Sequence, residues 1–336
     1  MKNKINLGII GLGRFGINYL RTLNELDNAN IKWICSGRRE TLDSAAAKVE
    51  LKSEVNKTTN YKDILQDKEV DAVAIVTPGS THHRIAKDAL LADKHVLVEK
   101  PFCLNSKDAE ELVKISLEKN KVLMVGHLHL FNPGIQKIKE DIKAGLFGKM
   151  KYVHIIHTGN GPVRSDMGAL WDFFPHSVSV LLHLLDQNPS EVSVNGASFL
   201  KKGIEDVVTM DLKFPENTFA TSFGSWIHPL KKFSVIVVGE KLYAVFEDYA
   251  KDDKLKYYEN APKIIDGKVI IDDKGYQAID IKNNKPLTEQ LKHFLDCINK
   301  NKASINKGED ALRITRILEL AQKSLNNNIT VKIPKI

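Results

Sequence analysis

Gly11-Leu12-Gly13-Arg14-Phe15-Gly16 is a GxGxxG run between a short apolar segment, 5–10, and a stretch with helix-spaced apolar residues, 14–26. Glycines at these positions permit a tight turn, a close backbone approach to phosphates and close packing of helix on strand. The helix start then offers free N–H groups and a positive dipole end to a pyrophosphate. About 20 residues on, a dinucleotide-binding fold carries an acidic residue when the adenosine ribose is unphosphorylated. Here the run is Cys35-Ser36-Gly37-Arg38-Arg39. A carboxylate repels a 2′-phosphate, whereas a small hydroxyl beside guanidinium groups binds one. Gly11, Gly13, Arg14, Phe15, Gly16, Ser36, Arg38 and Arg39 are therefore the expected cofactor contacts, with NADP preferred over NAD.

A second set of residues suits proton and oxygen chemistry. Glu99-Lys100-Pro101 follows the apolar run 95–98, at the carboxyl end of a predicted strand. The lysine is a movable cation that can hold a hydroxyl or carbonyl oxygen. Asp172 and His176 stand four apart beside Pro175, which predicts the first turn of an apolar helix over about 175–185 with both side chains on one face. An imidazole exchanges protons near neutral pH and a carboxylate can orient it; the structural alternatives are a helix cap and a core histidine. Thr77, Pro78 and His82 lie at another strand-end turn and, with Glu99 and Lys100, are expected as cofactor contacts along the nicotinamide side. His127 and His129 follow a further strand end. His154 and His157, three apart in a predicted strand, face opposite sides and make a poor metal pair. No spacing suggests a metal site.

The elements that must position these groups change character along the chain. Strands at 5–10, 31–35, 70–76, 95–98 and 122–125 alternate with helical patterns at 14–26, 41–51, 80–91 and 106–119, which is the mark of a parallel, doubly wound sheet. After residue 126 come a helix over 132–144 and a strand over 150–157. Then follow the helix near 175–185 and β-like segments at 191–200, 206–214, 218–226, 233–239 and 242–247, which predict an antiparallel meander. Residues 250–286 are not assigned. Helices over 288–299 and 308–325 and a short strand near 329–333 close the chain. Two domains are expected, 1–125 for cofactor and 126–336 for substrate and oligomerisation.

Composition supports this reading. The chain has 336 residues, 43% hydrophobic and 27% charged, which excludes wholesale disorder and a fibre. Its 49 basic and 42 acidic residues leave a net charge of +7. The cations form no block and no nucleic-acid-binding spacing occurs, so neither nucleic acid nor membrane is the expected partner. No apolar run reaches the roughly 18 residues of a membrane span. Lys2 and Lys4 precede 5–12, but no small-residue cleavage site follows, so this stretch reads as the first strand and not a signal peptide. The cysteines Cys35, Cys103 and Cys297 are scattered and odd in number. They point to a reducing compartment, the cytoplasm.

Taken together, GLGRFG, TPGSTHH, KHVLVEKPF, VGHLHLFNP, GLFGKM and WDFFPH, with the stretch 286–324, resemble the Gfo/Idh/MocA oxidoreductases over nearly the whole chain. The resemblance implies an α/β fold: an N-terminal Rossmann dinucleotide-binding domain plus a C-terminal α+β domain with a large, open, mostly antiparallel sheet. It implies Lys100, Asp172 and His176 as the catalytic group, His176 being the general acid/base. It also implies substrate contacts from Lys100, His127, Arg164, Asp172 and His176. Where the family has a second polar residue three places after the histidine, this chain has Ser179. The WDxxPH form behind Val163-Arg164-Ser165-Asp166 looks like members that build cell-surface sugars. The implied function is an NAD(P)-dependent dehydrogenase or reductase acting on a ring carbon of a sugar or nucleotide-sugar. The alternatives are a cofactor-retaining glycosidase using transient oxidation and a non-catalytic NADP-binding regulator. A broad meander with one face uncovered by helices would expose a large apolar patch, so a homodimer or homotetramer built on that sheet is expected.

Overall fold

The computed structural model describes residues 4–161, 163–259, 262–271 and 274–334. Lys2 and the extreme ends of the two expected domains lie outside the described residues. The elements run β1 Ile5–Ile10, α1 Gly16–Glu25, β2 Ala29–Cys35, α2 Arg39–Ala47, β3 Asn56–Thr58, α3 Tyr61–Gln66, β4 Ala72–Ile75, α4 His82–Leu91, β5 His95–Val98, α5 Ser106–Glu118 and β6 Leu123–Val125. They continue with α6 Pro133–Lys143, β7 Met150–Asn160, α7 Ala169–Leu185, β8 Glu191–Ala197, β9 Val207–Lys213, β10 Phe219–Ser225, β11 Ile227–Gly239, β12 Tyr243–Glu247 and β13 Leu255–Tyr258. Last come β14 Lys263–Ile265, β15 Lys268–Ile270, β16 Gln277–Ala278, α8 Pro286–Lys300, α9 Gly308–Asn327 and β17 Val331–Lys332.

The chain folds into two compact units, Met1–Leu128 with Lys285–Arg316, and His129–Asn284 with Ile317–Ile336. The stretch from Lys285 to Arg316 thus groups with the first unit, whereas the sequence pattern places it in the second. Its packing gives the reason. Met124 bridges to Lys307, Ala311 joins the core around β4 and β5, and a Cβ on Gly308 would come within 2.9 Å of Leu123.

In the first unit, six strands form a sheet in the order β3-β2-β1-β4-β5-β6, every neighbouring pair parallel. Continuous Val, Ile, Leu and Ala runs make β4 buried at every position, as a sheet covered on both faces requires. The order reverses between β1 and β4, and ligands of such sheets bind beyond the carboxyl ends at that switch point. The sequence pattern predicts neither β3 nor α3. Asn-Lys-Thr carries no apolar signal, and β3 exists because its backbone pairs with the edge of β2.

The second unit is built on a nine-stranded sheet, β16-β13-β12-β11-β7-β10-β9-β8-β17. It is mostly antiparallel, but β7 and β10 run parallel, which a simple meander does not contain. The chain between them passes through α7, β8 and β9, long enough to return in the same direction. One face buries Val153, Ile155, Ala220, Val235, Val237, Ala244 and Phe246. α7 packs on this sheet and is itself almost wholly buried. It begins at Ala169, six residues before Pro175, so the expected helix start at Pro175 is incorrect. Leu170, Trp171, Phe174, Val178, Leu181 and Leu185 form an apolar surface whose burial outweighs the hydrogen bond that an internal proline forfeits. Glu205 serves the true start: its carboxylate accepts from Leu170 N at 3.3 Å and its carbonyl from Ala169 N at 2.9 Å. Among the described residues, no helix is long and apolar enough to cross a membrane.

Candidate functional site

In the first unit the three glycines of the β1–α1 turn divide into two kinds. Gly11 has φ +102°, and a Cβ there would lie 2.5 Å from Val76 O; one on Gly16 would overlap Gly11 O. These two serve the protein's own packing. Around Gly13 nothing stands within 4 Å of where a Cβ would be. No side chain caps α1, and Phe15 is exposed beside it. An open glycine on an uncapped helix start is a cradle that fits a pyrophosphate.

At the end of β2, Ser36 is buried and Gly37 is again open. Arg39 is engaged by Asp43 at 3.2 Å. Arg38, at the cap of α2, has no ion pair among the described residues. No carboxylate follows Cys35 in this turn.

The ends of β4 and β5 are tied together by His82. Its fully buried ring lies 2.8 Å from Thr77 O through Nε2 and 2.8 Å from Pro101 O through Nδ1. Thr81 Oγ1 lies 2.7 Å from both Thr77 Oγ1 and Pro78 O. His82 thus braces two strand-end turns.

Glu99 is 7% exposed. Its Oε1 accepts from Tyr19 Oη at 2.5 Å and its Oε2 from the Lys100 backbone N–H at 3.1 Å. Burial raises the carboxyl's proton affinity, while the Tyr19 hydroxyl and the Lys100 charge pull it back down. Gly126 leaves the carboxylate room: a Cβ there would sit 2.6 Å from Oε1. His127, 1% exposed, has its pKa pushed down to about 3, first by burial and then by the Lys100 charge. Its Nδ1 has no hydrogen-bond partner among the described residues.

In the second unit Asp172 and His176 lie one turn apart on α7. Asp172 Oδ2 accepts from Trp226 Nε1 at 3.1 Å, and its Oδ1 is 3.9 Å from Arg164 Nη1. Arg164 is itself clamped on Asp166 by two hydrogen bonds, 3.0 Å from Nε and 2.8 Å from Nη2. That contact, more than Asp172, holds the guanidinium in its charged form. Ser179 turns its hydroxyl back onto His176 O at 2.8 Å, so the family's second polar position is occupied by a group bonded within its own helix.

Two histidines outside the expected site stand around His176. The His129 ring centroid lies 4.7 Å from that of His176 and 5.4 Å from that of His157, and His157 is 5.6 Å from His176. His129 stacks on Phe233 at 3.6 Å and His157 on Phe173 at 4.4 Å. Parity held the signal for His157, which shares a face of β7 with the core residues Val153 and Ile155. No sequence signal brings His129 there. Among the described residues no group of His, Cys, Asp and Glu could hold a metal ion.

Comparison with known proteins agrees with this architecture. The family described as an oxidoreductase family with an NAD-binding Rossmann fold matches residues 5–127, and the GFO/IDH/MocA C-terminal domain matches residues 135–245. Myo-inositol 2-dehydrogenase from Thermotoga maritima is 23% identical, covering 99% of this chain and 99% of that protein. UDP-N-acetylglucosamine 3-dehydrogenase from Acidithiobacillus ferrooxidans is 28% identical over 68% of this chain and 71% of that protein. A solved structure of the latter enzyme superposes with a TM-score of 0.83 at 22% identity, covering 96% of this chain and 98% of that one. With an NAD(P)-binding turn, a parallel six-stranded sheet and a second, mostly antiparallel sheet domain, this chain belongs to the GFO/IDH/MocA family of oxidoreductases.

Proposed function

We propose that this protein is an NADP(H)-preferring dehydrogenase or reductase acting on a ring carbon of a sugar or nucleotide-linked sugar. The observation that carries this reading is the position of Lys100. It follows β5 at the carboxyl edge of the same sheet whose β1–α1 turn offers the open Gly13 to a pyrophosphate. The relatives named for inositol and for UDP-N-acetylglucosamine support the substrate class. A nicotinamide cofactor held at the β1–α1 turn would supply or accept the hydride. Lys100 stabilises negative charge on the reacting oxygen, His176 takes or gives the hydroxyl proton, and Asp172 orients its neighbours. His127 is a substrate hydrogen-bonding group and not a proton acceptor, because its depressed proton affinity makes it a weak base near neutral pH. Arg164, already clamped by Asp166, is a second polar contact for substrate.

The test is a panel of free, phosphorylated and nucleotide-linked sugars followed by nicotinamide absorbance. A net absorbance change on turnover is expected for at least one class. Product release without any net change indicates transient oxidation and overturns the dehydrogenase reading.

The assembly we propose is a homodimer or homotetramer built on the second unit's sheet. On the face opposite α7, Tyr152 and Phe219 are 42% and 39% exposed and are direct cross-strand neighbours. Ile156, Phe223, Ile236, Tyr243 and Val245 extend this face as half-buried apolar residues. Such a surface is a liability in a monomer. The cytoplasm is the proposed location, consistent with three buried cysteines that form no disulfide.

A further inference from the structure

We propose that Tyr19 and Gln290 are positioning residues for Lys100, acting through the Glu99 carboxylate. The inference rests on the role proposed for Lys100 and adds the interior structure that sets its backbone and its charge environment. Gln290 Nε2 donates to Tyr19 Oη at 3.0 Å, and Tyr19 Oη donates to Glu99 Oε1 at 2.5 Å. Glu99 Oε2 accepts the Lys100 N–H at 3.1 Å. Tyr19 and Gln290 are both fully buried. The three side chains come from α8, α1 and the end of β5, elements separated by up to 271 residues, yet they form one unbroken line of donors and acceptors.

Such a line carries a desolvation cost that its hydrogen bonds must offset, because a carboxyl, a phenol and an amide buried together lose their hydration. An apolar trio of similar size would fill the space without that loss. What the polar line provides is a carboxylate held from both oxygens, directly under the Lys100 peptide. Tyr19 Oη is a donor that favours the anion. The titratable and charged groups facing Glu99 are Tyr19 from α1 and Lys100 from its own strand end, with His127, just after β6, next to the Lys100 charge. With Glu99 anionic, its charge acts on the Lys100 ammonium; protonation of Glu99 removes that charge.

The Lys100 amide proton, hydrogen-bonded to Glu99, reports the ionisation of that carboxyl by NMR in the cofactor-free protein, with no substrate needed. Tyr19→Phe removes the donor, so the Glu99 titration sensed at Lys100 N–H moves up by about one pH unit, a tenfold change in proton affinity. Gln290→Leu moves it in the same direction by less. Glu99→Gln abolishes the titration and keeps the shape, which secures the assignment. In turnover, the acid limb of the pH–rate profile of Tyr19→Phe moves up in step. An unmoved amide titration in a folded Tyr19→Phe protein overturns the coupling. A moved titration with an unchanged rate profile supports the coupling and overturns the catalytic role of Lys100.

Discussion

The indole Nε1 of Trp226 donates to Asp172 Oδ2 at 3.1 Å, joining the residue after β10 to the fourth residue of α7. Trp226 is 1% exposed, so this bond holds one carboxylate oxygen from the interior while Arg164 approaches the other. Asp172 is thereby a fixed group, neither a helix cap nor a freely rotating surface acid. Trp226→Phe keeps most of the buried volume and removes the donor. Loss of a hydrogen bond to a charged group is worth on the order of 1.5–3 kcal/mol. If Asp172 only orients its neighbours, Trp226→Phe and Asp172→Asn lower single-turnover hydride transfer by similar factors, smaller than those of the acid/base variants. A loss in Trp226→Phe as large as that in His176→Ala would contradict this.

His176→Ala and Lys100→Ala are expected to slow hydride transfer by about 100-fold or more, the lower end for a positioned acid/base. NADP(H) affinity should change little, since neither residue belongs to the β1–α1 turn. Single-turnover rates at saturating cofactor, beside a fluorescence titration of NADPH, check both halves.

The glycines of the turn separate by what surrounds them. Gly16→Ala drives a methyl into Gly11 O, so a loss of stability measurable by thermal unfolding is expected. Gly13→Ala meets nothing of the protein within 4 Å. It should fold normally and bind NADPH much more weakly, because the methyl enters the space the pyrophosphate requires.

Cofactor preference rests on Ser36 and Arg38. NADPH should bind more tightly than NADH, and Ser36→Asp should reverse the order. A charge-assisted phosphate contact corresponds to roughly 10- to 150-fold in affinity. Equal or better NADH binding by the unmodified protein would sink the idea.

Stability should fall with acid through His127. The folded state holds this ring neutral down to about pH 3, whereas the unfolded chain takes up its proton below about pH 6.5. The contribution is therefore complete above about pH 6.5 and is lost progressively as pH falls toward 3. At pH 5 the loss amounts to about 2 kcal/mol. Denaturant titrations at pH 7 and pH 5 should differ less, by about that amount, in His127→Gln.

Much of the molecule is legible in its amino-acid order because local patterns carry it. Continuous apolar runs separated by helix-spaced ones specify the parallel sheet, and GLGRFG specifies the turn between β1 and α1. Glu99-Lys100 and the i, i+4 pair Asp172 and His176 are visible as residue types at strand and helix positions. Other features belong only to the folded chain. The start of α7 moves to Ala169 because burial of an apolar helix outweighs one proline. β3 exists because an edge strand offers it a partner. His129 and His157 reach His176 through the pairing of β7 with β11, where Phe233 stands opposite His157. Gln290 meets Tyr19 because α8 packs with the first unit, a contact across most of the chain. Periodicity reports which face of an element is buried. Which other element covers it is decided by register and packing across distances that no local window contains.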